Sequence, residues 1–328
     1  MEGKMRQHLL QMLMNNEGEY VSGQQISDKL SCSRTAIWKH IEELRKEGYV
    51  IEAVPRKGYR IQSAPDRVTA AEINARLKTE VLGRTIVYEE SVKSTQEIAQ
   101  RLSQSGAYEG TLVVADEQTG GRGRLGRQWQ SPKGTGVWMS LILRPDIPLQ
   151  KAPQLTLLAA VGITKAISKV TGLRPEIKWP NDILVNGKKV VGILTELQAE
   201  SDRVHAVIIG PGINVNVGRD DFNDELKDIA TSLKIESGKE IKRAELISSI
   251  LKEMEELYHD YLNNGFALVK LMWESYANSI GRRIRVRTLN QQIEGIAKGI
   301  TDDGILLLED DEGNIHPIYS ADIEIPGT

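Results

Sequence analysis

Apolar residues recur with helical spacing at the start of the chain, and the pattern falls into three short runs. Leu9, Leu10, Met12 and Leu13 predict a first amphipathic helix. Ser22 with Gln25 forms a capping box that opens a second helix to about residue 30. Ser33 caps a third through about residue 47, ended by Gly48, with Ile37, Ile41 and Leu44 on its core face. Arg34, Thr35, Trp38 and Lys39 then face outward near its leading end, although Trp38 fits the core equally well. The period next changes to two, and 49–54 and 59–62 predict strands around the basic hairpin Pro55-Arg56-Lys57-Gly58. Two helices joined by Ser31-Cys32-Ser33 and followed by a wing predict a winged helix-turn-helix over 1–64. Its expected DNA contacts are Ser22, Gln24, Ser33, Arg34, Thr35, Trp38, Lys39, Arg56 and Lys57.

Ala64-Pro65-Asp66 reads as a linker into a larger unit, 65–280. Thr69 with Glu72 caps a helix to about residue 77, strand 84–89 follows, and Ser94-x-x-Glu97 is a capping box for a helix to about 103. β-branched strands come at 111–116 and 137–144, and 154–171 is a long apolar helix buried on most sides. Asn186-Gly187 predicts a hairpin with Lys188 and Lys189 opening the return strand, while Pro180-Asn181-Asp182 breaks the strand before it. Another strand is expected at 204–209, ending in a turn, Gly210-Pro211-Gly212-Ile213-Asn214-Val215-Asn216, that exposes its Asn side chains. Helices return at 244–263 and 266–277. From Arg282 short strands (284–288, 292–300, 305–309, 315–319) alternate with turns at Asn290-Gln291, Asp302-Asp303-Gly304 and 310–313, predicting a small β-barrel over 281–328. Those acidic turns lack the full ligand loop of a calcium site.

Composition adds limits. The 328 residues leave room for two or three domains, and a net charge of −3 confines any polyanion site to a local patch. Within residues 1–61 ten Lys/Arg face eight Asp/Glu, so the placement of Arg34, Lys39, Arg56, Lys57 and Arg60 carries the DNA reading, not bulk charge. One cysteine, Cys32, rules out an internal disulfide framework or a cysteine zinc cluster. The start lacks a signal-peptide run and no stretch reaches membrane-spanning length, so a soluble cytoplasmic protein is expected.

The candidate chemistry centres on 118–131, Gln-Thr-Gly-Gly-Arg-Gly-Arg-Leu-Gly-Arg-Gln-Trp-Gln-Ser. Glycines at 120, 121, 123 and 126 let the backbone approach a ligand, and Arg122, Arg124 and Arg127 interleave with them as an anion trap. Gly121-x-Gly123-x-x-Gly126 has dinucleotide-fingerprint spacing, but Pro132, Gly134 and Gly136 follow where a helix should begin. Gly121-x4-Gly126 has P-loop spacing, but Arg127-Gln128 stands in place of Lys-Ser/Thr. A plainer reading is an Arg-Gly surface segment touching nucleic acid nonspecifically, though such segments usually run longer.

Taken in order, the winged helix, Lys-Ser-Thr-Gln at 93–96, Gly-Arg-Gly-Arg-Leu-Gly-Arg at 121–127, Lys-Trp-Pro-Asn-Asp at 178–182, Lys-Val-Val-Gly-Ile-Leu at 189–194, Gly-Pro-Gly-Ile-Asn at 210–214 and the final barrel resemble the bifunctional biotin–protein ligases that also repress biotin genes. The resemblance covers nearly the whole chain, and lipoate ligases share the fold but not the paired glycine–arginine and Lys-Trp-Pro-Asn-Asp motifs. It implies an α+β protein: a winged helix-turn-helix, a central mixed α/β domain of the biotin/lipoate ligase type and an SH3-like β-barrel. It also implies the chemistry. Biotin carboxylate attacks the α-phosphate of ATP, giving biotinoyl-5′-AMP and pyrophosphate, and the acyl group passes to a lysine of a biotin carboxyl carrier domain. No enzyme nucleophile is needed, in keeping with the absence of Gly-x-Ser-x-Gly and with a lone Cys in the DNA-binding unit.

Residue by residue, the resemblance puts Ser94, Thr95 and Gln118 on the biotin ureido group, with Gln96 in the same motif. Arg122-Gly123-Arg124 would close over biotin and the adenylate phosphate. Lys189, ahead of Lys188, would contact the carboxyl or adenylate oxygens. Lys178, Asn181, Asn214 and Arg127 would serve the nucleotide phosphates, Asp182 would orient groups or assist Mg2+, and Trp129 would pack on the loop or the adenine. Arg124, Lys189 and Lys178 are the expected catalytic residues, and no protein-held metal is expected. Gln96 and Leu125 depart from the family's usual Asn and Arg, which puts a ligand contact by Gln96 in doubt. Implied partners are the carrier domains of acetyl-CoA carboxylase and pyruvate carboxylase, operator DNA of biotin genes, and a second copy of the chain once adenylate is bound, joined through 204–209 as an edge strand. The rival reading is a ligand-sensing transcription factor without ligase chemistry. Clustered phosphate-binding groups argue against it.

Overall fold

The computed structural model describes residues 2–16, 18–200, 203–287 and 292–325. The first unit holds α1 (Glu2–Asn15), α2 (Gly23–Leu30), α3 (Arg34–Lys46) and a hairpin of β1 (Val50–Val54) and β2 (Gly58–Ser63). Ser22 and Gln25 exchange both capping-box bonds, and Ser33 Oγ accepts from the Ala36 N–H. Leu9, Leu13, Ile26, Ile37, Ile41 and Leu44 meet Ile51 and Ile61 from the hairpin in one core. Trp38 is 57% exposed, which removes it from that core. Tyr59 in β2 runs against Val21, and a Cβ on Gly58 would lie 2.1 Å from the Val21 carbonyl oxygen, so this crossing requires glycine.

α4 (Ala70–Arg76) packs on α1 and carries the chain into a seven-stranded sheet. Its members are β3 (Ile86–Val92), β4 (Leu112–Gln118), β5 (Gly136–Leu143), β6 (Glu176–Lys178), β7 (Asp182–Val185), β8 (Lys188–Glu200) and β9 (Arg203–Asn214), in the order β3-β4-β5-β9-β8-β7-β6. Only β3–β4 is parallel. α5 (Thr95–Gln104) covers one face through Ala99 on Val113, Ile142 and Ile208. The other face carries α6 (Ala152–Thr171), backed by α8 (Arg243–Asn264) and α9 (Ala267–Tyr276), with the short α7 (Leu233–Ser237) before them. Covered on both faces, β5 is apolar at every position but one, Ser140, and fully buried.

Three expectations need correction. The Gly-Pro-Gly-Ile-Asn segment is not a turn. It is the last five residues of β9, paired with β5 and β8, and Asn214 is buried. β9 is therefore an inner strand, whereas β8 beyond Gly192 has β9 on one side and, among the described residues, no strand on the other. Ser94 leads α5 without a side-chain cap bond, and the carboxylate of Glu97, the other half of the expected capping box, pairs with Lys93 at 3.1 Å and with Arg122 of the glycine–arginine loop.

The last unit is a five-stranded antiparallel sheet: β10 (Arg283–Arg287), β11 (Gln292–Ile300), β12 (Leu306–Glu309), β13 (Ile315–Ile318) and β14 (Asp322–Glu324), ordered β13-β12-β11-β10-β14. β14 was not expected from the sequence, and the Asn290-Gln291 turn lies outside the described residues. This unit sits on α6, where Gln154 Nε2 donates to the Asp302 carbonyl at 2.7 Å and Gln154 Oε1 accepts from the Tyr261 hydroxyl at 2.6 Å. Burial pushes that hydroxyl up to about 12.

Candidate functional site

A cleft of about 260 Å³ opens where β4, α5, β5, β8 and β9 converge under the glycine–arginine loop. Its inner end is neutral, buried and interlocked. Gln118 Oε1 accepts from Thr95 N–H at 2.8 Å and Thr95 Oγ1 at 3.1 Å, and Gln118 Nε2 donates to Ser131 Oγ at 3.0 Å. Thr95 Oγ1 lies 2.9 Å from Ser140 Oγ, which donates to Gln96 Oε1 at 2.8 Å, and Gln96 Nε2 donates to the Ile208 carbonyl at 3.1 Å. The Gln96 amide is thus held by protein at both ends, and Ser94 faces the cleft beside it. Ser140 joins this network unforeseen; the one hydroxyl in an otherwise apolar buried strand was the available signal.

The floor is bare backbone. A Cβ on Gly212 would come within 2.4 Å of Trp129 Nε1, one on Gly192 within 2.8 Å of the Trp129 ring, and one on Gly210 within 2.4 Å of Gln96 Oε1. These glycines admit side chains against a strand; they do not turn the chain. Lys189 Nζ stands 5.4 Å from the Trp129 ring centre and 2.7 Å from Asp182 Oδ1.

The outer end is cationic, and its cations hold protein acceptors. The loop closes as a hairpin, with Gly123 N–H donating to the Arg127 carbonyl at 2.7 Å and Trp129 N–H to the Gly121 carbonyl at 2.9 Å. Leu125 at its tip has φ 56° and is 71% exposed. Arg124 donates to Asn181 Oδ1 and Ser320 Oγ, both at 3.0 Å, and Arg127 reaches Asp322 Oδ2 at 2.5 Å. Ser320 and Asp322, beside and within β14, escaped the sequence reading, as did Asp221, Phe222, Leu226 and Ile229, which wall the cleft from the segment after β9. Asn214 lines the cleft while its amide donates to the Thr231 carbonyl at 3.2 Å. Lys178 does not line it. It stands opposite Asp182 in the β6–β7 register, one strand further out. Lys188 also stays outside, with its ammonium on the Lys227 carbonyl at 3.4 Å. Among the described residues no cluster of three His, Cys, Asp or Glu could hold a metal ion.

The first unit presents its own face. Gln24, Ser33, Arg34, Thr35, Trp38, Lys39, Arg56 and Lys57 are exposed, whereas Ser22 is half-buried with its hydroxyl engaged in the cap. Arg34 donates to Gln24 Oε1 at 3.2 Å, which orients both on the leading end of α3. Arg60 is drawn off this face, stacked 4.6 Å over the Tyr20 ring and bonded to Glu52 at 2.6 Å. The Tyr20 hydroxyl and then Arg60 hold the Glu52 carboxyl below its ordinary value.

The cleft thus has a neutral, hydrogen-bonded end, a floor of glycines and a cationic loop over it, on a chain that also carries a winged helix. Residues 88–214 match the biotin/lipoate A/B protein ligase family, 5–60 match an HTH domain, and 279–325 match the biotin protein ligase C terminal domain. The bifunctional ligase/repressor BirA of Bacillus subtilis (strain 168) is 58% identical over 325 residues, 99% of this chain and 100% of that one. BirA of Escherichia coli (strain K12) is 30% identical, covering 97% of this chain and 96% of that one. A biotin protein ligase from Aquifex aeolicus, solved with biotin and ATP, aligns with a TM-score of 0.65 at 33% identity, covering 74% of this chain and 99% of that chain. The chain belongs to the biotin–protein ligase family, in its bifunctional ligase–repressor branch. No described helix is long and apolar enough to cross a membrane.

Proposed function

We propose that the chain adenylates biotin and transfers it to a lysine of biotin carboxyl carrier domains, and that the bound adenylate makes it a repressor of biotin genes. One observation supports this most: a single cleft joins an uncharged hydrogen-bonding end to a cationic end one small molecule away. Thr95, Gln118, Ser140 and Ser94 suit the ureido group, and the glycine floor with Trp129 suits the apolar ring and tail or the adenine. A biotin carboxylate oxygen attacks the α-phosphorus as the bond to pyrophosphate breaks. Both partners are anions, so fixed cations and donors are the main requirement. Arg122, Arg124, Arg127 and Lys189 supply charge, and Asn181 and Asn214 supply amides. Lys178, opposite Asp182, remains a phosphate candidate from just outside the lining. Mg2+ would come with ATP, held chiefly by its phosphates, with Asp182 the nearby carboxylate. In the second half-reaction the carrier lysine amine attacks the acyl carbon, AMP leaves and the amine loses a proton.

Carrier domains of acetyl-CoA carboxylase and pyruvate carboxylase are the proposed acceptors. Operator DNA meets Arg34, Thr35, Trp38, Lys39 and the wing residues Arg56 and Lys57. The homodimer that presents two such faces is assigned to the open side of β8 beyond Gly192, since β9 has neighbours on both sides. Mixing the protein with biotin and Mg-ATP should release pyrophosphate, and a purified carrier domain should gain the mass of one biotin. Ligand-dependent operator binding without pyrophosphate would instead mark a sensor.

A further inference from the structure

Among the buried ionic groups of the central unit, Glu72 pairs with Arg76 inside α4. Glu253 with Lys165 and Lys169 only staples α8 to α6. Arg243, 2% exposed at the start of α8, joins three distant segments. Its backbone N–H donates to Asp66 Oδ1 at 2.8 Å, its Nε to Asp66 Oδ2 at 2.7 Å, and one terminal nitrogen to the Asp66 carbonyl at 3.0 Å. The other terminal nitrogen donates to Asp116 Oδ1 at 2.8 Å and to the Gly136 carbonyl at 3.2 Å. Asn216 completes the set, donating to Asp66 Oδ2 at 3.2 Å and the Ile241 carbonyl at 2.9 Å. Lys242 Nζ holds the Ala64 carbonyl at 2.7 Å.

Each end of this bridge is the root of something that has to act. Asp66 lies in the segment leading out of the winged helix. Asp116 is two residues before Gln118 on β4, where the glycine–arginine flap begins. Asn216 roots the segment whose Asp221, Phe222 and Ile229 wall the cleft. The linker is thereby bonded to the roots of both segments that wall the cleft.

We propose that Arg243 is a positioning residue that ties the winged-helix linker, through Asp66, to the flap root, through Asp116, and so carries closure of the cleft to the DNA-binding unit. The functional half rests on the ligase–repressor reading; the mechanical half does not. A planar guanidinium with fixed donor directions suits the task, because moving one carboxylate misaligns the other. Removing a charged partner from a buried group leaves that group unsatisfied, so a change at one end is felt at the other.

Amide hydrogen exchange on the full-length chain tests the mechanical half without ligand. Asp116→Asn should speed exchange in 64–69, and Asp66→Asn should speed it in 119–131. If each variant loosens only its own segment, the bridge transmits nothing and the proposal falls. The functional half is read with biotin and Mg-ATP added. Asp66→Asn should still form the adenylate, read as pyrophosphate release at saturating biotin and Mg-ATP, while the gain in operator affinity caused by those ligands shrinks by on the order of fivefold or more. An unchanged gain overturns it. Wild-type protein that releases no pyrophosphate fails the ligase reading instead, and leaves the exchange result standing.

Discussion

The two ends of the cleft are built on opposite plans. At the inner end every polar atom of Gln118, Thr95, Ser140 and Gln96 that the network uses is matched by protein, and the residues lie on a strand, a helix start and a fully buried strand. At the outer end Arg122, Arg124, Arg127 and Lys189 sit against Glu97, Asn181, Asp322 and Asp182. Those acceptors do for the cations what a phosphate would do. The inner end is preformed for a neutral group. The outer end is a set of charges already paired with protein acceptors, most of them on the glycine–arginine loop, so a ligand gains there only by exchanging one partner for another.

The contrast predicts that damage to the two ends will look different, and the largest effect belongs to the outer one. Arg124→Ala or Lys189→Ala should lower kcat/KM for adenylate formation by about 10²–10³-fold, the scale of losing one preorganised charge-stabilising donor. The thermal midpoint should hardly move, because these pairs are part-exposed and contribute little to stability. A mutant that turns over normally, or one that melts early, would break the comparison at this end.

Next in size are Thr95→Val and Ser140→Ala. Each removes one hydroxyl from a buried chain and strands its neighbour, at a cost of roughly 1–3 kcal/mol. Pyrophosphate-release kinetics should show KM for biotin rising about tenfold with kcat nearly kept, and here the thermal midpoint should fall as well. Loss of affinity with unchanged melting would mean that the inner end is assembled by the ligand, contrary to the geometry.

Why one end was easier to read in advance follows from the same contrast. The flap advertises itself, since alternating Gly and Arg in one run has few other uses, and the winged helix is equally local, written in Ser22/Gln25, in Ser33 and in the period of Ile37, Ile41 and Leu44. The inner end is assembled across the sheet, from β4, β5, β9 and the start of α5, and pairwise contacts over such separations leave little local trace. Gly210-Pro211-Gly212 read as a turn because glycine and proline usually mark one. In the sheet they leave room for Gln96 and Trp129. Glu97 read as half of a capping box because its spacing from Ser94 is local, whereas its partner Arg122 lies on another segment. Asp322 was invisible for want of a strand expected there at all, β14 being three residues long.

Asp322→Asn sharpens the idea of exchanged partners. It frees Arg127 from a pair in which both side chains are more than a third exposed, so stability should change by well under about 1 kcal/mol. If the pair competes with the nucleotide, KM for ATP should fall by about two- to threefold, since a lost competitor is worth only part of one exposed ion pair. A rise in KM would show that Asp322 serves the bound nucleotide directly.

The smallest expected effect on catalysis concerns Gln96, where the chain has one methylene more than the Asn usual in the resembling family. Its amide is spent on Ser140 and the Ile208 carbonyl, and its oxygen occupies the space above Gly210. Gln96→Asn withdraws that amide by one methylene and leaves a small gap over the glycine, so melting should register a loss of about 1 kcal/mol. Biotin KM should change by less than about threefold, because the groups facing the ligand, Thr95 and Gln118, keep their own bond to each other. A large KM change without a stability change would move Gln96 from the scaffold of the inner end onto the ligand itself, and the claim that this end is complete before biotin arrives would go with it.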